Sequence, residues 1–214
     1  MKIGQAASGV GTATTINTTF VPQFLYWNNA TLPQGLRVSV FGDGVICDLD
    51  TNGISIFRGL RNPGYKTAGF LIPLADGLIT GKNVEIVFTN GVAAAIDIYG
   101  ISIQKGRIYM QSLKQTALAS SGIEIRGFAC LGLPTIQAGD ITNVEFMDGL
   151  VQKFDQAEIQ SYYQMFQNDV NGGISGLIDN FEAKIKRVNF TPAANETIYI
   201  MRYAPVANLS QNSL

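Results

Sequence analysis

Asp48, Asp50 and Asn52 alternate along Asp48-Leu49-Asp50-Thr51-Asn52-Gly53, which reads D-x-D-x-N-G, the first half of a calcium loop. In such a loop the side-chain oxygens of alternate residues converge on the ion, and the glycine permits a sharp turn. The twelfth position is Gly59, where a helix-loop-helix site needs a bidentate glutamate, so the run is not an EF-hand. Further ligands would have to come from a backbone carbonyl, water or a distant carboxylate such as Asp43, Asp76 or Asp140. The same residues also make a plain turn, because Asp and Asn bond to nearby backbone and Asn-Gly is a common hairpin turn. Two readings therefore stand: a turn, or a metal site with Asp48, Asp50 and Asn52 as ligands and calcium as the cofactor.

Other chemistry is thinly supplied. The chain has no histidine, so a serine or cysteine nucleophile would need an unusual base. Asp97 in Ala-Ile-Asp-Ile-Tyr and Glu124 in Gly-Ile-Glu-Ile-Arg lie mid-strand among apolar residues, where burial could raise a carboxyl pKa into the range of a general acid. Neither has a second acid two residues away on the same strand face, and the expectation is that the protein is not an enzyme. Trp27, Tyr65, Tyr99 and Tyr109 are candidates for a carbohydrate platform, which makes a calcium-dependent carbohydrate-binding β-sandwich the alternative reading. Arg58, Arg61 and Lys66 flank a Gly-rich loop and suit either phosphate groups or solvent.

The elements that would position these groups read mostly as strands. Charged residues make up 14% of the 214, well under the usual share of about 25%. So few charges leave a poorly protected surface, which points to cover by other subunits. The net charge is −1 and no basic cluster exists to neutralise phosphates, so sequence-specific nucleic-acid binding is not expected. Cys47 and Cys130 sit in apolar strand-like contexts, as buried thiols or as a disulfide. No signal-peptide pattern and no apolar run long enough to span a membrane is present.

Residues 1–19 are small, polar and without period, and read as a flexible N-terminal arm. Val38, Val40 and Ile46 on one side and Ile54 and Ile56 on the other read as a hairpin turning at Asp50–Gly53. Further strands are expected near 69–74, 83–89, 94–104, 107–111, 122–131, 143–146, 187–191 and 197–203, with Gly-containing turns between them. From Asp155 the apolar period becomes helical, Asp155 and Glu158 have capping-box spacing, and a second helix is expected from about Ser175, with Leu177, Ile178, Phe181 and Ile185 inward. The expected fold is mostly β, an antiparallel jelly-roll sandwich with one or two short helices inserted before the last strands. One domain over 20–206, with a helical insertion at about 155–186 and a flexible tail at 207–214, suits the length; a compact double roll split near 105–121 is the other arrangement.

A histidine-free, charge-poor, Gly/Asn/Thr-rich β chain with a small-residue arm and helices between late strands resembles the jelly-roll capsid proteins of icosahedral bacteriophages. Among these it looks most like capsid proteins of the internal-membrane kind, the corticoviruses and tectiviruses. The resemblance implies a structural coat protein of the virion, assembled in the host cytoplasm. Its implied partners are a homo-oligomer (trimer, pentamer or hexamer), neighbouring capsid proteins and an internal viral membrane surface. It also implies a use for Asp48, Asp50 and Asn52, as calcium ligands at or near a subunit interface.

Overall fold

Alternating apolar residues become paired strands along most of the chain in the computed structural model, which describes residues 1–61, 69–159, 176–180 and 184–205. Two compact units result, one built on Met1–Leu113 and one on Lys114–Tyr203. The first holds β1 (Lys2–Ala6), β2 (Ala13–Val21), β3 (Phe24–Trp27), β4 (Gly35–Val40), β5 (Gly44–Asp50), α1 (Thr51–Arg61), β6 (Phe70–Pro73), β7 (Ile79–Thr89) and β8 (Ile96–Ile101). Its sheets run β1-β8-β3-β6 and β5-β4-β7-β2. That is the strand order of a jelly roll, in which first, eighth, third and sixth strands oppose second, seventh, fourth and fifth.

The remaining strands are β9 (Ile108–Ala117), β10 (Ile123–Arg126), β11 (Phe128–Leu133), β12 (Ile141–Phe146), β13 (Val151–Phe154), β14 (Gly176–Asp179), β15 (Ile185–Thr191) and β16 (Glu196–Pro205). They run in the orders β14-β11-β16-β9 and β10-β15-β12-β13, so the same jelly-roll order is repeated. The single roll expected over 20–206 is thus two rolls, and β9, which opens the second set, crosses the 105–121 stretch. Strands of four to eleven residues let eight strands fit in half of a short chain. Each roll also carries a helical start between its fifth and sixth strands, α1 in the first and residues 156–159 in the second.

Three further expectations are corrected. Residues 1–19 are not an arm: β1 pairs with β8, and β2 pairs with β7 from Ala13↔Thr89 to Val21↔Ile79. Their short polar side chains hid this, because only Ala6 and Ile16 are buried there, while the β-branched threonines favour an extended backbone. The hairpin turns at residues 41–43 and not at Asp50–Gly53; Ile54, Ile56 and Phe57 are buried from helix α1. The second helix expected from Ser175 is instead strand β14, whose Leu177 and Ile178 pair with Gly132 and Leu131 of β11. Residues 160–175, 181–183 and 206–214, which carry the rest of the expected insertion and the tail, lie outside the described residues.

The helix start at 156–159 is held as its sequence predicts. The Asp155 backbone N–H donates to Glu158 Oε2 (2.9 Å) and the Glu158 N–H donates to Asp155 Oδ1 (3.1 Å), a reciprocal capping box. Gly127 separates β10 from β11 at a φ of +62°, and a Cβ there would lie 2.4 Å from the Tyr203 carbonyl oxygen, so only glycine lets the chain pass between the two sheets.

Each roll has its own apolar interior. In the first, Trp27 is 1% exposed and stacks on Phe88 at 5.3 Å, and its Nε1–H donates to the Thr31 carbonyl (2.9 Å). In the second, Phe128, Leu131, Val144, Val188, Phe190 and Ile198 form a buried cluster. Burying each such side chain stabilises by about 1.5–3 kcal/mol. Trp27→Ala removes the largest buried side chain of the first roll, and urea unfolding followed by circular dichroism should show a loss of about 3–5 kcal/mol.

Candidate functional site

Strand β5 and the first turn of α1 place the D-x-D-x-N-G residues one after another along the chain. Asp48 is exposed on β5, and its Oδ2 accepts from Arg37 Nη1 (3.3 Å) on β4. Asp50 ends the strand and caps the helix: its Oδ1 accepts the Gly53 N–H (3.1 Å). Asn52 is exposed in the first turn of α1. The three oxygens expected as calcium ligands are therefore split between an ion pair, a helix cap and solvent. Among the described residues no group of three or more acidic or cysteine side chains is placed to hold a metal ion.

The more distant carboxylates named as further ligands have structural partners of their own. Asp43 Oδ2 accepts from Tyr109 Oη (2.7 Å) and from Lys82 Nζ (2.6 Å). Asp76 Oδ1 accepts the backbone N–H groups of Arg107 (2.8 Å) and Ile108 (2.9 Å). Asp140, 1% exposed, accepts the Gln137 N–H at Oδ2 (2.7 Å) and the Ala193 N–H at Oδ1 (2.8 Å). All three tie loops to strands.

The strand acids do not have the environment of a general acid. Asp97 accepts from Lys2 Nζ (2.6 Å) and Gln5 Nε2 (2.8 Å), and these bonds hold its pKa below the ordinary aspartate value. Glu124 bonds Arg126 and Arg187, which hold its pKa below the ordinary glutamate value. Lys186 and Arg187 likewise lower Glu145. Paired cations favour the charged carboxylate, so these groups stabilise the fold above the unfolded pKa and cease to do so as pH falls through the lower folded one.

Among the described residues the aromatic candidates do not share one exposed face. Trp27 and Tyr109 are buried, and burial together with Asp43 pushes the Tyr109 hydroxyl upward in pKa. Tyr99 is half-buried against Tyr26, the rings tilted with centroids 6.0 Å apart; Tyr65 lies outside the described residues. Of the basic loop, Arg58 and Arg61 belong to α1 and Lys66 falls outside the described residues. Cys47 and Cys130 are buried and not joined in a disulfide, and burial pushes the Cys47 thiol up in pKa.

Sequence reading missed Glu196, at the start of β16 and 7% exposed. Its Oε2 accepts from Gln137 Nε2 (3.2 Å) and Thr135 Oγ1 (3.3 Å), while Oε1 is buried without a hydrogen-bond partner. Desolvation raises its pKa against the two hydrogen bonds, which lower it, and nearby Asp140 adds to the rise. A lone glutamate ahead of an apolar strand gives no sequence signal for burial, which only the closing loops impose.

Two tandem eight-stranded jelly rolls in one chain define the fold class. Among solved structures, the major capsid protein P2 from bacteriophage PM2 has this fold with a TM-score of 0.59, at 12% identity over 93% of each chain. A chain in the atomic structure of Sulfolobus Turreted Icosahedral Virus is similar with a TM-score of 0.54, at 11% identity over 94% of this chain and 89% of that one. No protein-family model and no curated protein sequence matches this chain.

A raised glutamate pKa means that the folded state favours the protonated form, so this group's stabilisation is present below the ordinary glutamate value of 4.5 and is lost as pH rises through the higher folded value. Glu196→Gln should therefore melt higher than the parent protein at pH 7 and level with it at pH 4, read by thermal denaturation at the two pH values.

Proposed function

We propose that this protein is a structural capsid protein that assembles with copies of itself into the icosahedral shell of a bacteriophage, so that its place of action is the virion. The observation that carries this reading is the pair of jelly rolls formed by β1 to β8 and β9 to β16, a fold it shares with a phage major capsid protein over 93% of both chains. The surface chemistry agrees, because a chain with 14% charged residues exposes Phe41, Ile103, Met147, Leu150 and Val151 and gains from covering them with neighbours. Assembly, and not turnover, is then the activity, and the ion-paired Asp97 and Glu124 are surface clamps between strands.

Calcium at Asp48, Asp50 and Asn52 is a further proposal, supported by the oxygen chemistry of the run. It requires Arg37 to release Asp48, since one carboxylate oxygen now faces the guanidinium. Contact with an internal viral membrane is supported by the resemblance and by the exposed apolar residues.

Negative-stain microscopy and light scattering of the purified protein test the assembly reading. The expected result is a uniform oligomer or shell; dispersed monomers at high concentration, with and without calcium, overturn it. In the same samples, dissociation on chelation supports the calcium proposal, and no heat in a calcium titration removes it. Co-sedimentation with lipid vesicles tests the membrane contact.

A further inference from the structure

Each jelly roll ends its two sheets on four strands: first and sixth in one, second and fifth in the other. The chain covers one fifth strand itself: β5 pairs in parallel with the start of β9, through Cys47↔Ser112 and Asp48↔Leu113, all four residues within the first unit. A fifth strand is thus paired with the first strand that comes next. The other fifth strand is β13 and the other first strand is β1. Among the described residues each is hydrogen-bonded along one side alone, β13 to β12 and β1 to β8.

Exposure marks the same two edges. Val151, Gln152 and Lys153 of β13 are exposed one after another, whereas β5 buries Ile46, Cys47 and Leu49. A strand with one face on a core alternates, so in a run open on both faces neither face is covered by a layer among the described residues. The turn leading into β13 exposes Met147 at 66% and Leu150 at 60%. At the other edge, β1 residues Lys2 and Ile3 line an open groove of about 490 Å³ together with Thr18, Phe20 and Phe41, and no β8 residue lines it.

Parallel pairing fixes which ends meet. Beside β5 and β9, the turn before β5 reaches the start of β9, where Tyr109 Oη donates to Asp43 (2.7 Å). The same direction brings the turn at residues 147–150 to the start of β1, where the groove lies. In a parallel pairing of β13 with β1, Met147 and Leu150 would face Ile3 and Phe20, and Asp148 would join Asp97 beside the Lys2 ammonium, which now bonds Asp97 (2.6 Å).

We propose that the outer edge of β13 in one copy pairs in parallel with the outer edge of β1 in a second copy, repeating the β5–β9 pairing and joining copies head to tail. This is strand addition at a sheet edge, in which main-chain bonds give affinity and the flanking side chains give register. Such a contact is heterologous, and it closes into a ring when the rotation per copy divides the circle. The proposal deepens the assembly reading and rests on it, yet the strand contact is readable in solution whether or not shells form.

Two kinds of variant test it. The Phe146 N–H donates to Leu150 O (2.9 Å), so by antiparallel alternation Val151 and Lys153 turn their N–H and C=O groups to the free edge. Lys153→Pro removes one such donor and spares every bond to β12, and edge strands tolerate proline. It should weaken self-association about tenfold at an unchanged melting temperature. Independently, Lys2→Cys and Val151→Cys proteins are mixed and treated with a short bismaleimide, the native Cys47 and Cys130 being buried. The expected product is a dimer containing one of each, formed by the mixture and by neither protein alone. Crosslinking of Val151→Cys to itself, or none under conditions where scattering shows oligomers, overturns the pairing. Shells without the mixed crosslink overturn it and leave the capsid reading standing; crosslinked rings that never form shells do the reverse.

Discussion

Backbone hydrogen bonding between strands far apart in sequence is the constraint on which the rest of this protein depends. β2 pairs with β7, β1 with β8 and β12 with β15, each across several intervening strands. Every buried N–H and C=O needs a partner, so once one pairing of a roll is set, the next has few alternatives. The apolar alternation then decides which face of each strand turns inward, because a slip of one residue would send Val38, Val84, Ile86 and Phe88 into water.

Buried polar groups hold the connections that the ladders do not reach. Asn90, fully buried in the first roll, donates from Nδ2 to the carbonyls of Ala7 (2.7 Å) and Ala94 (2.9 Å) and accepts the Val92 N–H (2.9 Å). In the second roll Asp140 ties Gln137 to Ala193, and Asn180 joins Phe128 O (2.8 Å) to the Ile185 N–H (2.9 Å). Such groups cost free energy unless they are bonded, and bonded they admit one loop conformation. Asp140 thus serves architecture, as do Asp43 and Asp76, whose oxygens bond Tyr109 and Lys82, and the Arg107 and Ile108 N–H groups.

Repetition links the fold to assembly. Two rolls with the same strand order present equivalent edges twice, and the chain satisfies one such pair within itself. An uncovered edge of the same kind is a template for another chain, unless charge or proline blunts it. β13 has one lysine and no proline, and β1 likewise has one lysine and no proline.

The residue pattern by itself determined that this is a β protein, where most strands lie, that a capping box starts a helix at Asp155, and that the chain holds no histidine. Alternation and turn chemistry are local, so they are legible without a structure. Tertiary structure alone decided the rest. Ile54 and Ile56 alternate like a strand, yet Asp50 caps a helix there; Leu177 and Ile178 suit a helix face, yet β11 offers them an edge. Residues 1–19 look like an arm until β7 and β8 supply bonding partners, and the D-x-D-x-N-G run reads as a single loop, whereas its Asp48 lies on β5 beside Arg37 and its Asp50 caps α1. In each case long-range hydrogen bonds and burial outweighed a local preference worth less than either.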